Sequence, residues 1–203
     1  MQPTFLSGRF EKALAFAARL HGGQLRKGVG KARPISYIAH LLAVTALVIE
    51  NDGDEDEAIA ALLHDAIEDQ GGIAAEHIIA TCFGPKVTGI VRGCTDADMI
   101  PKPDWWTRKR LYLEHLATAS PSVRLVSACD KLHNARAILT DYRIHGEALW
   151  SIFKTGREGT LWYYRSLADE YLRGGPESVA GEVDAVVSQL EGEINAREVE
   201  RDE

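Results

Sequence analysis

Ala58-Ile59-Ala60-Ala61-Leu62-Leu63-His64-Asp65-Ala66-Ile67-Glu68-Asp69 is the stretch that decides the reading of this chain. Its first half is rich in Ala and Leu and free of Gly and Pro, which predicts a buried helix. Asp54, Glu55, Asp56 and Glu57 precede it and suit a helix N-terminus, where free N–H groups and the positive dipole end attract carboxylates. Gly71-Gly72 is the expected end. On one continuous helix over 54–70, His64 and Glu68 stand four residues apart, as do Asp65 and Asp69, so neighbouring stripes carry an imidazole and three carboxylates.

Such groups left buried and unpaired cost several kcal/mol each, roughly, so water must reach them or a cation must compensate them. A divalent metal fits, but His64 and Asp65 are too few ligands. Two further groups stand in similar apolar settings: His40, which opens Leu41-Leu42-Ala43-Val44, and Asp130, which follows Leu125-Val126-Ser127-Ala128-Cys129. Two imidazoles and two carboxylates without a thiolate favour Mn2+, with Fe2+, Zn2+ or Mg2+ as alternatives, in a catalytic rather than a structural site. Glu68 and Asp69 near a helix C-terminus oppose the dipole, which makes them candidates for proton transfer.

The 203 residues suffice for one substantial core, and no apolar run is long enough to span a bilayer. The start Met1-Gln2-Pro3-Thr4-Phe5-Leu6-Ser7-Gly8 has neither a basic nor a sustained apolar segment of a secretory signal. Cys82, Cys94 and Cys129 form no paired framework, so reduced thiols packed as small apolar groups in a cytoplasm are expected. A net charge of −7 argues against a general nucleic-acid binder. Acid collects at Glu50–Glu57 and Glu191–Glu203, whereas Arg19, Arg26, Lys27, Lys31 and Arg33 share a stretch with no acid. A cationic loop on an acidic protein suits a small polyanion.

The chain has no repeat and no β alternation, and it reads as all-α. Amphipathic stretches run over 7–20, 37–50, 54–70, 74–82, 84–95, 105–119, 121–140, 146–154, 157–173 and 176–200, giving a bundle of about eight to ten helices. Ser120-Pro121 is a good start for the Asp130 helix. Loops are expected at 21–36, 96–104 and 173–176, the first two beside the site. One domain covers 1–203, with its core over about 8–172. A C-terminal acidic amphipathic helix over 176–203 sets Val179, Val183, Val186, Val187, Leu190 and Ile194 on one stripe, for packing on the domain or on a second copy. His21, His77, His115, His133 and His145 read as surface or packing residues, and Trp105-Trp106 suggests no role.

His40, the His64-Asp65 doublet and Asp130 resemble the metal set of the HD-domain phosphohydrolases, an all-α superfamily. Further segments are similar, in order, to the RelA/SpoT-type alarmone hydrolases: His21-Gly22-Gly23-Gln24-Leu25-Arg26-Lys27-Gly28, Tyr37-Ile38-Ala39-His40, the extended doublet, and Cys129-Asp130-Lys131-Leu132-His133-Asn134. Phe83-Gly84 with Val87, Thr95-Asp96 and Arg108-Lys109-Arg110-Leu111 also fit. The likeness covers about residues 8–172 and is strongest to small stand-alone hydrolases. Pro34-Ile35-Ser36-Tyr37 departs from the family's shorter Gly-x-Pro-Tyr connection by two inserted residues.

The resemblance implies a metal-dependent guanosine-3′,5′-bis(diphosphate) 3′-pyrophosphohydrolase, which yields GDP or GTP and pyrophosphate. It implies that Glu68 orients or deprotonates the attacking water and that Asp69 assists or passes the proton to the leaving group. Arg26 is expected to stack on guanine, Lys27 to offer charge to phosphate, and Asn134 to contact ribose or phosphate. Lys131, Arg108 and Arg110 are candidates for neutralising diphosphate. Trp162-Tyr163-Tyr164, after Thr160, lies where the family places late substrate contacts. The expected partner is a small-molecule guanosine polyphosphate, with neither nucleic acid nor membrane involved and a homodimer left open. Two alternatives stand beside this reading: an HD phosphatase acting on a nucleoside monophosphate or NADPH, and a non-catalytic nucleotide-sensing HD module.

Overall fold

The computed structural model describes residues 5–27, 34–96 and 101–202; Lys31 and Arg33 of the basic stretch, and Gly28 of the first motif, lie outside them. Eight α-helices occur among the described residues: α1 (Gly8–Leu20), α2 (Ile38–Glu50), α3 (Glu55–Leu63), α4 (Gly72–Cys94), α5 (Trp105–Thr118), α6 (Pro121–His145), α7 (Gly156–Gly174) and α8 (Glu177–Asp202). A π-turn at Ile67–Gly71 precedes α4, and a 3-10 helix at Gly146–Ile152 follows α6. The described residues hold no strand, only one antiparallel bridge between Leu25 and Ser36. This is the all-α bundle expected from the sequence.

Local chemistry fixes several helix starts. The Asp54 carboxylate accepts from Glu57 N at 3.0 Å while the Glu57 side chain accepts from Asp54 N at 2.7 Å, a reciprocal cap on α3. Ser120 caps α6 by accepting from Val123 N, with Pro121 in the first turn. Two expectations need correction. The helix predicted over 54–70 breaks after Leu63: His64 and Asp65 form a turn and the chain widens into the π-turn. The helices predicted over 74–82 and 84–95 form one element kinked at Gly84, whose φ of 87° suits a residue without Cβ.

α3 lies at the centre, packed against α1, α2 and α4, and its residues 58–63 are all buried. Full burial of Ile59, Leu62 and Leu63 contributes about 1.5–3 kcal/mol each. α8 packs on α6 and α7, with Val179, Val183, Val187, Leu190 and Ile194 buried. Its acids face arginines of those helices, as in Arg165 with Asp184 and Glu191, and Arg143 with Glu193. Arg124, buried, donates to the carbonyls of Leu116, Glu170 and Gly175 and so satisfies the C-terminal ends of α5 and α7. Ile138, Leu139, Tyr142, Leu149, Trp150, Leu190 and Ile194 make a second apolar cluster at the far end of α6. Cys129 is buried, but Cys82 is exposed, contrary to a packing role. No described helix is long and apolar enough to cross a membrane.

Candidate metal centre and its cavity

Three segments converge at one point. α2 contributes His40 from its first turn, the end of α3 contributes His64 and Asp65, and the middle of α6 contributes Asp130. The break after Leu63 turns the His64-Asp65 doublet toward α2 and α6. His64 Nε2 lies 3.0 Å from Asp65 Oδ2 and 3.6 Å from Asp130 Oδ1; His40 Nε2 lies 3.1 Å from Asp130 Oδ1 and 3.8 Å from Asp65 Oδ2. His40, His64 and Asp65 offer ligand atoms that lie within 4.8 Å of one another. Thus all four residues singled out in the sequence meet.

Whether this cluster suits a cation is decided by the ring orientations. His64 Nδ1 lies 2.8 Å from the Ala61 carbonyl, a contact that requires the proton on Nδ1 and leaves an Nε2 lone pair facing the carboxylates. His40 Nδ1 lies 2.8 Å from His133 Nδ1, so a proton on the His40 nitrogen gives the same outcome. Both Nε2 atoms are buried and form no hydrogen bond. Burial lowers the pKa of His64, but Asp65 and Asp130 outweigh it and hold the ring well above its ordinary value, so that without a cation a proton occupies the Nε2 position that an ion would take. Burial raises Asp130, yet Lys131 and the imidazoles bring it well below the usual carboxylate range. A negative field focused on two orphaned imidazole nitrogens fits a small divalent ion.

The surrounding groups fix the ligands. Tyr37 Oη donates to Asp65 Oδ2 at 2.5 Å, and its ring stacks on His21 with centroids 5.4 Å apart. Asn134 Nδ2 donates to Asp130 Oδ1 at 2.6 Å, while Lys131 pairs with the other Asp130 oxygen. Residues 24–26 and 35–37 are tied together, Arg26 N donating to the Ile35 carbonyl and Tyr37 N to that of Gln24. His21 and His133, read from sequence as packing or surface residues, are therefore part of the site's support. Nothing in the sequence alone ties His133 to His40, which stands ninety-three positions earlier.

A cavity of about 420 Å³ opens on the cluster. Glu68 and Asp69 line it, as do Arg26, Lys27, Lys131 and Asn134. Arg26 Nη2 donates to Asn134 Oδ1 at 3.0 Å, linking the loop to α6. Asp69 accepts from Gln24 Nε2 at 2.7 Å, and Glu68 pairs with Lys102 at 2.9 Å. Burial and then the Asp96 charge raise the pKa of Glu68. Tyr164 alone of the Trp162-Tyr163-Tyr164 run lines the cavity. Trp105 and Trp106 pack against Trp162, which gives that pair a structural role.

Arg108 and Arg110 do not line the cavity, contrary to the expectation that they neutralise diphosphate. Arg108 binds Asp96 at 2.6 Å, and Arg110 lies over the Trp106 ring. Lys109 between them takes the place, lining the cavity while pairing with Asp96 at 2.5 Å and lying 4.6 Å from the Tyr163 ring centroid. Helix phase explains the difference, since successive residues on α5 point about 100° apart.

The chain matches the HD-domain family model over residues 13–161. It is 35% identical over 135 residues to the Drosophila melanogaster guanosine-3′,5′-bis(diphosphate) 3′-pyrophosphohydrolase MESH1, covering 66% of this chain and 71% of that protein. The Xenopus tropicalis MESH1 is 39% identical over 127 residues, 62% of this chain and 66% of that one. A GTP pyrophosphokinase rsh from Brucella ovis is 33% identical over 143 residues, 68% of this chain but only 18% of that protein. A solved structure of a metazoan ortholog of SpoT, described as hydrolysing ppGpp and playing a role in starvation responses, superposes with a TM-score of 0.76 at 28% identity, covering 92% of this chain and 97% of that one. The paired imidazoles, the doublet after α3 and Asp130 on α6 thus sit within a matched family domain, and the chain belongs to the HD-domain family.

Proposed function

We propose that this protein is a metal-dependent pyrophosphohydrolase that removes the 3′-diphosphate of guanosine 3′,5′-bis(diphosphate) or its pentaphosphate relative, giving GDP or GTP and pyrophosphate. The observation that carries this reading is one cavity that opens on Asp65 and Asp130 of the His/Asp cluster and is lined by two further acids and a set of cations and amides. The names of the MESH1 relatives support the same reaction.

His40, His64, Asp65 and Asp130 would hold the ion, manganese in this reading, which supplies Lewis-acid stabilisation of phosphoryl charge and lowers the pKa of water. Water oxygen bonds to the phosphorus attached to O3′, the P–O3′ bond breaks, and O3′ takes up a proton. Glu68, with its raised pKa, suits acceptance of the water proton near neutral pH. Asp69, held by Gln24, is placed to assist or to return a proton to O3′. Lys131 and Lys27 bring positive charge to the diphosphates, and Arg26 and Asn134 present a linked guanidinium and amide to the nucleoside. Lys109 adds a third cation. The free thiols of Cys82, Cys94 and Cys129 accord with a cytoplasmic setting, and a homodimer is open to light scattering.

The test is pyrophosphate release from guanosine tetraphosphate by metal-stripped protein, with and without manganese, beside a Glu68→Ala, Asp69→Ala double variant. Release that needs manganese and disappears in the variant is expected. Turnover no better than that of a nucleoside monophosphate or NADPH refutes the substrate assignment, and tight binding without product favours a sensor.

A further inference from the structure

Gln24 stands before α2, forty-five positions from Asp69, and lines the same cavity. Its side-chain amide is engaged at both ends. Nε2 donates to Asp69 Oδ2 at 2.7 Å, while Oε1 accepts from Gln70 Nε2 at 2.5 Å and faces His21 Nδ1 at 2.7 Å. An ionised carboxylate only accepts, so the amino end of the amide must face Asp69, and the contact on Oε1 then places a proton on His21 Nδ1. His21 is buried, and its ring stacks on Tyr37, whose phenol donates to Asp65. One buried imidazole thus backs both the residue that orients Asp65 and the residue that meets Asp69.

Asp69 and Gln70 follow one another in the π-turn. Successive residues of a regular helix point about 100° apart and do not face one partner. Here both meet the same amide, which gives the widened turn a use. Asp69 is exposed, so packing does not fix its side chain and a hydrogen bond has to.

We propose that Gln24 is a positioning residue for the reaction: its amide, held in one sense by His21 and Gln70, takes Asp69 Oδ2 and so fixes which edge of that carboxylate exchanges a proton with the substrate. Without the amide Asp69 turns freely, and a proton-transfer group out of line contributes less to the rate while the ion and the phosphates stay bound. The inference rests on the proposed reaction for the role of Asp69. It goes further by assigning a task to Gln24, to His21 and to the π-turn.

The test is the hydrolysis of guanosine tetraphosphate by manganese-loaded wild type and Gln24→Glu, with Asp69→Ala and the double variant beside them and manganese affinity measured by calorimetry. Gln24→Glu keeps the length of the side chain and an acceptor for His21 and Gln70 but loses the donor to Asp69, so a role confined to supporting His21 would spare it. Its kcat is expected to fall about tenfold, part of the 10²–10⁴ that a positioned proton-transfer group supplies, with KM and manganese affinity within about threefold of wild type. In the Asp69→Ala background the same substitution is expected to cost less than about twofold, because its effect runs through Asp69. An unchanged kcat, a rise confined to KM, or an equal loss with and without Asp69 overturns the assignment. Should Gln24→Glu not fold, Gln24→Met removes the same donor and takes its place; should Asp69→Ala turn over too slowly to measure, the split between kcat and KM decides. No pyrophosphate release by the wild type sinks the proposed reaction and this inference with it, whereas release with an unchanged kcat in the Gln24 variant sinks the inference alone.

Discussion

Replacing Tyr37 by Phe keeps the ring that stacks on His21 and removes one atom, the phenol oxygen that donates to Asp65 Oδ2 at 2.5 Å. That carboxylate oxygen is also the one 3.0 Å from His64 Nε2, so the phenol fixes the direction in which Asp65 faces the cluster. A hydrogen bond to a charged group contributes about 1.5–3 kcal/mol, and each 1.4 kcal/mol is a factor of about ten in affinity. If the full bond is lost, manganese binding should weaken about ten- to hundredfold, the range typical of groups that orient metal ligands. The secondary structure should be unchanged, because the ring still fills its place. Manganese titration of the stripped protein by calorimetry, with circular dichroism alongside, reads both quantities. Affinity equal to or tighter than wild type in a folded Tyr37→Phe protein would refute the claim that this phenol positions Asp65.

Lys102 favours the charged form of Glu68, whose pKa burial and Asp96 raise, so Lys102→Met should move the acid limb of kcat/KM to higher pH; an unmoved limb removes Glu68 from the role of base. Asp96 is pulled below its ordinary 3.8 because Lys109 and Arg108 outweigh burial. Its contribution to stability is therefore full above that value and lost as pH falls through the lower folded pKa, so the Tm gap between wild type and Asp96→Asn should close below about pH 4. Manganese at a hundred times its Kd should stabilise the fold by about 2.7 kcal/mol, or roughly 5–10 °C in Tm for a chain of this size; no rise in Tm contradicts an ion bound to the native state.

Features set by neighbours in the chain were legible in the sequence. The Asp54/Glu57 and Ser120-Pro121 helix starts depend on a few adjacent residues, and the structure contains both. His40, His64, Asp65 and Asp130 were visible because each interrupts an apolar run, where an ionisable group needs a reason. The π-turn at 67–71 was not visible, since nothing local distinguishes Ala66-Ile67-Glu68 from ordinary helix and its geometry answers to packing. The choice of Lys109 over Arg108 and Arg110 depends on the rotation of α5 against α7, a contact between segments about fifty residues apart. The pairing of His133 with His40 likewise arises from distant segments meeting.

The central claim is that four side chains from three helical segments hold one ion on which hydrolysis depends. Metal content and pyrophosphate release, measured in parallel on wild type and Asp65→Ala, test it most directly. The account predicts about one manganese per chain and turnover of guanosine tetraphosphate in the wild type, with both lost together in the variant. Normal turnover by an Asp65→Ala protein that holds no metal would contradict it.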